Sequence, residues 1–234
     1  MKKSMVALAS MFASLGAAQA QGISGDVVKI AVLSDMSSLY ADTAGKGSVE
    51  SAKMAIADFG GTVLGKKIEL VFADHQNKAD VASTKAREWF DKEGVDMIMN
   101  MNNSAVAIAV NGLARERNKT IMNTGAVSTA LTNEHCGATL VHYTYDTYAM
   151  TNAAVKGVLA QGKKDWFIIS VDYAAGKAMA STATEFVDAG GGKIVGQVAH
   201  PLNASDFSSY VTQAAASKAQ VVTLANATND TVNT

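Results

Sequence analysis

Val28-Lys29-Ile30-Ala31-Val32-Leu33-Ser34-Asp35 decides how the rest of this chain folds. It is a short β-branched run that stops at a serine and an acid, as a strand does. Beyond it, Val49, Ala52, Met54, Ala55, Ile56 and Phe59 recur at helical spacing, and Gly60-Gly61 closes the helix. Working outward, strands are expected at 67–72, 95–101, 120–123, 166–171, 193–198 and 221–224. Helices are expected at 79–90, 105–117, 147–159, 177–189 and 207–217. Strands separated by helices of ten to sixteen residues imply parallel βαβ units in open, doubly wound sheets, hence an α/β fold. The stretch 124–146 carries no clear helix and breaks the rhythm, which is how a chain crosses between two lobes. The expected division is a leader at 1–20, a first α/β lobe at 21–145 and a second, partial lobe at 146–234.

The leader is an address. Lys2 and Lys3 precede an apolar stretch, residues 5–18, and Ala18-Gln19-Ala20 is a small-x-small cleavage signal. The stretch falls short of the roughly 20 apolar residues that a membrane span needs, and Ser10 and Ser14 interrupt it. No cysteine follows it, so a lipid anchor is not expected. Cleavage after Ala20 and export to a periplasm follow. At the other end, 221–224 reads as a third strand of the second lobe with a loop at 226–230 and no helix after it, so the chain is expected to continue past 234.

Composition excludes several functions. The 234 residues are 48% hydrophobic and 18% charged, an ordinary globular balance. With 20 basic and 21 acidic side chains the formal charge is −1, which gives nucleic acid no basic face to bind. One cysteine, Cys136, excludes an internal disulfide framework and a multi-cysteine zinc site.

Enzyme signatures fail one by one. Gly45-Lys46-Gly47-Ser48-Val49-Glu50 resembles a dinucleotide-binding turn, but Glu50 stands where the third glycine belongs and the loop before it is about ten residues long. No G-x-S-x-G elbow or S-x-x-K pair occurs. His75, His135, His142 and His200 have no metal-ligand spacing and read as strand-end or loop residues. Asp74-His75 reads as a polar pair leaving a strand rather than an acid–base couple. Cofactors are not expected.

Polar loops at strand carboxyl ends remain, at 34–47, 100–105, 123–129, 171–176 and 226–230, where doubly wound sheets bind ligands. Asn102-Asn103-Ser104 opens a helix; Ser104 is either a plain N-cap or part of a nest whose free N–H groups hold a carboxylate. Thr124-Gly125-Ala126-Val127-Ser128 repeats the arrangement after the next strand, with Gly125 allowing close backbone approach. Tyr40, Tyr145 and Tyr173 lie in neighbouring loops and can wall an apolar or aromatic group.

Four stretches, in order, carry a resemblance: residues 28–37, Ala73-Asp74-His75-Gln76-Asn77-Lys78-Ala79-Asp80, His142-Tyr143-Thr144-Tyr145-Asp146-Thr147-Tyr148 and His200-Pro201-Leu202-Asn203-Ala204-Ser205-Asp206-Phe207-Ser208. The chain resembles the periplasmic substrate-binding proteins of ABC importers, in the branched-chain amino acid (Leu/Ile/Val) receptor family. The resemblance implies a type I periplasmic binding fold with two α/β lobes, a hinge of three crossovers and the ligand between them. It implies that Asn103, Ser104 and the segment Gly125, Ala126, Val127 and Ser128 hold a ligand carboxylate. It also implies that the second lobe adds the loop 172–176 and the loop beginning at Asn226. Ala175 replaces the family's usual aromatic, leaving Tyr173 as the wall, and Val127 replaces a common hydroxyl residue. The partners implied are a small carboxylate ligand, an amino acid or aromatic acid, and a membrane permease; the receptor itself is not membrane-embedded. Relatives of this kind run well past 234 residues, and the resemblance implies a second cysteine there as the partner of Cys136. A sensor domain of the same fold and an exported hydrolase remain as alternatives.

Overall fold

A computed structural model describes residues 25–202, 204–226 and 228–234, so the leader and its cleavage site lie outside the described residues. The first sheet has six strands in the order β2-β3-β1-β4-β5-β6: Thr62–Val63, Lys66–Asp74, Val27–Ser34, Met97–Asn100, Thr120–Asn123 and Leu140–His142. Only the β2–β3 pair is antiparallel. The second sheet has three parallel strands in the order β8-β7-β9: Lys193–His200, Asp165–Val171 and Val221–Ala225.

β1 earns its central place by being apolar on both sides. Ala31 and Leu33 face a core with α2 (Ala79–Glu88) and α3 (Ser104–Glu116), while Val32 faces Val49 and Ala52 of α1 (Gly45–Asp58). β4 alternates in the same way, with Ile98 in the first core and Met99 against the second. Each fully buried side chain of this size contributes about 1.5–3 kcal/mol. The second sheet repeats the scheme. Trp166 and Ile168 pack on α4 (Thr147–Leu159) and α5 (Ala174–Ala189), and Phe167 and Ile169 pack on Ala214 and Tyr210 of α6 (Ser208–Ala216).

Several boundaries differ from the sequence expectations for identifiable reasons. After α2 the helix widens into a π turn, Trp89–Glu93, that buries both Trp89 and Phe90 and ends at Gly94 in the left-handed region, φ 68°. The stretch 124–146 is not one long crossing. It holds a 3-10 turn, Thr129–Leu131, and strand β6, which pairs with β5, so the chain leaves the first sheet only after His142. β6 is three residues long, too short to show a period. Thr228–Asn233 forms a short helix, α7, where a loop running to 230 was expected. Glu50 lies exposed on α1 and pairs with Lys53 at 2.7 Å, so it does not crowd helix against strand.

Two glycines are required by packing. A Cβ at Gly196 would meet the Phe167 ring at 2.6 Å, at the point where the β7–β8 register slips by one residue between Trp166 and Phe167. A Cβ at Gly176 would collide with the carbonyl of Val171, because α5 starts directly against the end of β7. Gly176→Ala is therefore expected to destabilise the second lobe by roughly 1–3 kcal/mol, read as a lower urea midpoint.

Candidate functional site

Both sheets share one feature of topology. In the first, β1 is flanked by β3 and β4; in the second, β7 is flanked by β8 and β9. In each sheet the chain crosses from the central strand to one neighbour and then back past it to the other, β1 to β3 to β4 and β7 to β8 to β9, so a crevice opens outside the carboxyl ends of β1/β4 and of β7/β9. These two crevices face one another across a cleft of about 510 Å³.

On the first-lobe side, Asp35 is fully buried and organises the loop after β1. Its carboxylate accepts the N–H of Ser38 and of Tyr40, both at 2.9 Å, and the Ser38 hydroxyl at 2.6 Å. Tyr40 is thereby set into the cleft. Asp74 accepts from the N–H groups of Met36 and Gln76. Burial opposes its ionisation, but these bonds and the Ser37 hydroxyl hold its carboxyl below the usual range. Next to it, His75 is fully buried, and its Nδ1 accepts the Asn77 N–H at 3.0 Å. Burial pushes the His75 pKa down, against the opposing pull of Asp35 and Asp74.

After β4 the backbone makes two left-handed steps, Asn100 at φ 81° and Met101 at φ 62°. Ser34 ties Asn100, within this turn, to Asn102, just past it: it accepts from Asn100 Nδ2 and donates to Asn102 Oδ1, both at 3.1 Å. The Asn102 amide nitrogen is thereby turned away from Ser34, beside Gly125, in the cleft wall. Gly125 is closely packed here: a Cβ would lie 3.1 Å from the Asn102 Cα.

Six of the ten residues singled out from the sequence line this cleft: Tyr40, Gly125, Val127, Tyr145, Tyr173 and Asn226. The other four stand behind it. Asn103 is the N-cap of α3, accepting from the N–H groups of Ala105 and Val106 and donating to Asn77 Oδ1. The cap is thus Asn103, and Ser104 is the first helical residue, its hydroxyl accepting the Ser128 N–H at 3.3 Å. Ala126 is locked between Asn123 and His142, both of which bond its carbonyl. The Ser128 hydroxyl caps the 3-10 turn through the Ala130 N–H. The sequence reading missed Asn100, Asn102 and Thr124 as wall residues, along with Met150 and Met179. The left-handed pair at 100–101 rotates the chain by one residue, so Asn102 rather than Asn103 faces the opening.

The second lobe contributes Tyr173, at the N-cap of α5, and Asn226, just past β9. Asn226 is braced by His200, whose Nε2 lies 2.8 Å from its Oδ1, and by Thr234, whose hydroxyl accepts from its Nδ2. Across the cleft, the Tyr40 hydroxyl donates to the Tyr173 hydroxyl at 3.2 Å. Burial raises the Tyr40 pKa far above its ordinary value, helped by Tyr173, Asp230 and Asp35. Burial also raises Tyr173, with Asp230 adding to it while the bond from Tyr40 works the other way. No Lys, Arg, Asp or Glu is among the described residues lining the cleft. A wider surface groove of about 760 Å³ runs between the 3-10 turn and α5, away from both crevices. Among the described residues no His, Cys, Asp and Glu cluster could hold a metal, and no helix is long and apolar enough to cross a membrane.

The profile of the family described as periplasmic binding protein matches residues 27–234, and the chain belongs to that family. A crystal structure of a periplasmic binding protein from Burkholderia mallei is 53% identical, with a TM-score of 0.87, and the match covers 89% of this chain and 56% of that one. A branched-chain amino acid ABC transporter periplasmic ligand-binding protein from Burkholderia xenovorans LB400 is 43% identical, with a TM-score of 0.70, covering 83% and 52%. An ABC transporter solute-binding protein from Rhodopseudomonas palustris HaA2, solved with p-hydroxybenzoic acid, is 25% identical, with a TM-score of 0.80, covering 89% and 56%. Curated relatives called Leu/Ile/Val-binding protein homolog 6, such as that of Brucella abortus (strain 2308), are 28% identical over 211 residues. That match covers 89% of this chain, which spans about half the length of those relatives (52%). The fold is accordingly that of the type I periplasmic binding proteins.

Two pH effects follow from this geometry. Unfolded, Tyr40 and Tyr173 ionise near the ordinary value of 10.0, whereas folding raises both, Tyr40 far above it. Their contribution is full below that pH and falls as pH rises above it. The phenolate absorbance lost on Tyr40→Phe should accordingly be nil at pH 10 in the folded protein and appear on unfolding. Folding lowers the His75 pKa from the ordinary 6.5, so its contribution is full above that pH and is lost as pH falls below it. His75→Gln should flatten the acid limb of stability against pH, measured by chemical denaturation.

Proposed function

We propose that this chain is the ligand-gripping portion of an exported periplasmic receptor, which captures a small carboxylate between its two lobes and delivers it to an ABC permease. The observation that carries this reading is the cleft itself, where the crevices of two doubly wound sheets face each other and share one uncharged lining. Asn102, Thr124 and the backbone around Gly125 and Val127 form the carboxylate end. Tyr40, Tyr173 and Tyr145 with Met150 and Met179 wall the rest. The names of the relatives support amino acids and aromatic acids as the ligand class.

Binding proceeds by closure. A ligand seated on the first lobe gains contacts to Tyr173 and Asn226 only when the second lobe swings in, so it shifts the population toward the closed form. Apparent affinity is set by how much the second-lobe contacts favour that form. No bond of the ligand is made or broken, and the closed form is what the permease reads.

A thermal-shift screen of amino acids, aromatic acids and dicarboxylates tests this. A ligand at a thousand times its Kd should stabilise the folded state by about 4 kcal/mol, and the compound should be recovered unchanged. A flat screen with ligand-stripped protein would remove the receptor reading.

A further inference from the structure

His200 closes β8 and is fully buried, edge-on to the ring of Phe207 at 4.8 Å and tilted against that of Tyr210 at 5.6 Å. The hydrogen bonds around it fix where its protons sit. Thr234 has one hydroxyl proton, which it donates to the Asp230 carbonyl at 2.6 Å, so towards Asn226 it can only accept. The Asn226 amide nitrogen therefore faces Thr234 at 2.9 Å, and the amide oxygen faces His200 Nε2 at 2.8 Å. On the other side of the ring, Nδ1 lies 2.8 Å from the carbonyl oxygen of Pro201. Both ring nitrogens thus face oxygens that can only accept, whereas a neutral imidazole carries one N–H. The imidazolium fills both bonds. The neutral ring sets a lone pair against one of the two oxygens, and the side chain braced on that ring is Asn226, part of the cleft wall. Of the titratable and charged groups on the surrounding elements, Tyr210 of α6 is in ring contact. Asp206, ahead of α6, is exposed and accepts the Ser208 N–H, Asp172, past β7, is exposed and paired with Lys177 at 2.8 Å, and Asp230 of α7 is buried.

We propose that His200 is a positioning residue of the ligand site: with a proton on each ring nitrogen it fixes Asn226 in the second-lobe wall, so that the grip on a ligand strengthens as pH falls. The inference rests on the cleft being the ligand site. Histidine is the side chain that changes its charge between about pH 5 and 8. His75, the residue after β3 in the first lobe, is built the other way. Its Nδ1 accepts the Asn77 N–H, so a second proton there breaks a bond where at His200 it completes one.

Two measurements on the full chain test this. Nitrogen-15 NMR of the ligand-free protein reads the His200 ring and the Asn226 side-chain amide from about pH 5 to 8. Both ring nitrogens should be protonated at the acid end, and the Asn226 signals should move as one proton is lost. Titration calorimetry uses leucine and benzoate, or the first hit of the thermal-shift screen if neither binds. Measured against His200→Gln at the same pH, binding should be about tenfold tighter at the acid end than at the alkaline end. His200→Gln keeps an N–H donor for Asn226 and does not titrate, so it should bind within about threefold of the acid form. His200→Phe has no donor and should bind about tenfold more weakly than the acid form at every pH. The NMR readout needs no variant, so it decides the matter if either variant melts early. A ring whose proton count stays fixed over the range, an Asn226 amide that ignores the titration of the ring, or a pH slope of affinity unchanged in His200→Gln overturns the positioning role and leaves the receptor reading standing. No binding of leucine or benzoate, together with a flat thermal-shift screen, overturns both.

Discussion

Burial of β1 on both faces is the constraint from which the site follows. A strand that is apolar on either side ends among other buried strands, so Ser34 and Asp35 at its tip have no access to water. Every polar atom placed there has to find a partner inside the protein, and the cost of failing is comparable to a lost hydrogen bond for each group. The chain answers with side chains that do the work of a second backbone. Asp35 gathers three N–H groups and a hydroxyl, and Ser34 ties Asn100 to Asn102. Rigidity at the mouth of the cleft is thus a by-product of keeping the core dry.

The second sheet copies the first in miniature. Its central strand β7 is bracketed as β1 is, and its tip likewise carries a helix start, α5, pressed so tightly onto the strand that only Gly176 fits. Neither crevice alone encloses a small molecule. Facing each other they line one cleft, and the hydrogen bond from Tyr40 to Tyr173 runs between their walls.

Most of the architecture was legible because burial on both faces leaves strands as unbroken apolar runs and helices as spaced ones. β6 and α7 escaped for the opposite reason: three and six residues are too few to display a period. The loops at the strand ends were located, although α1, α3, α5 and α7 begin inside four of them, and the side chains that face the opening were only partly legible. Tyr40, Tyr173 and Asn226 could be picked out because large or polar residues beside strand ends have few other uses. Asn102 and Asn103 could not be told apart, since the answer depends on two left-handed backbone steps at Asn100 and Met101 that no side-chain pattern announces. Asn103, Ser104, Ala126 and Ser128 look like ligand-binding residues in sequence because capping a helix and gripping a carboxylate call for the same chemistry.

The passage from one sheet to the other has a mechanical meaning. Between the last residue of β6, His142, and the first of α4, Thr147, only residues 143–146 are available. Four residues reach at most about 14 Å when fully extended, so this edge of the molecule acts as a short leash. Tyr145 sits on the leash itself and lines the cleft, so the link that ties the two sheets together is also part of the wall they share.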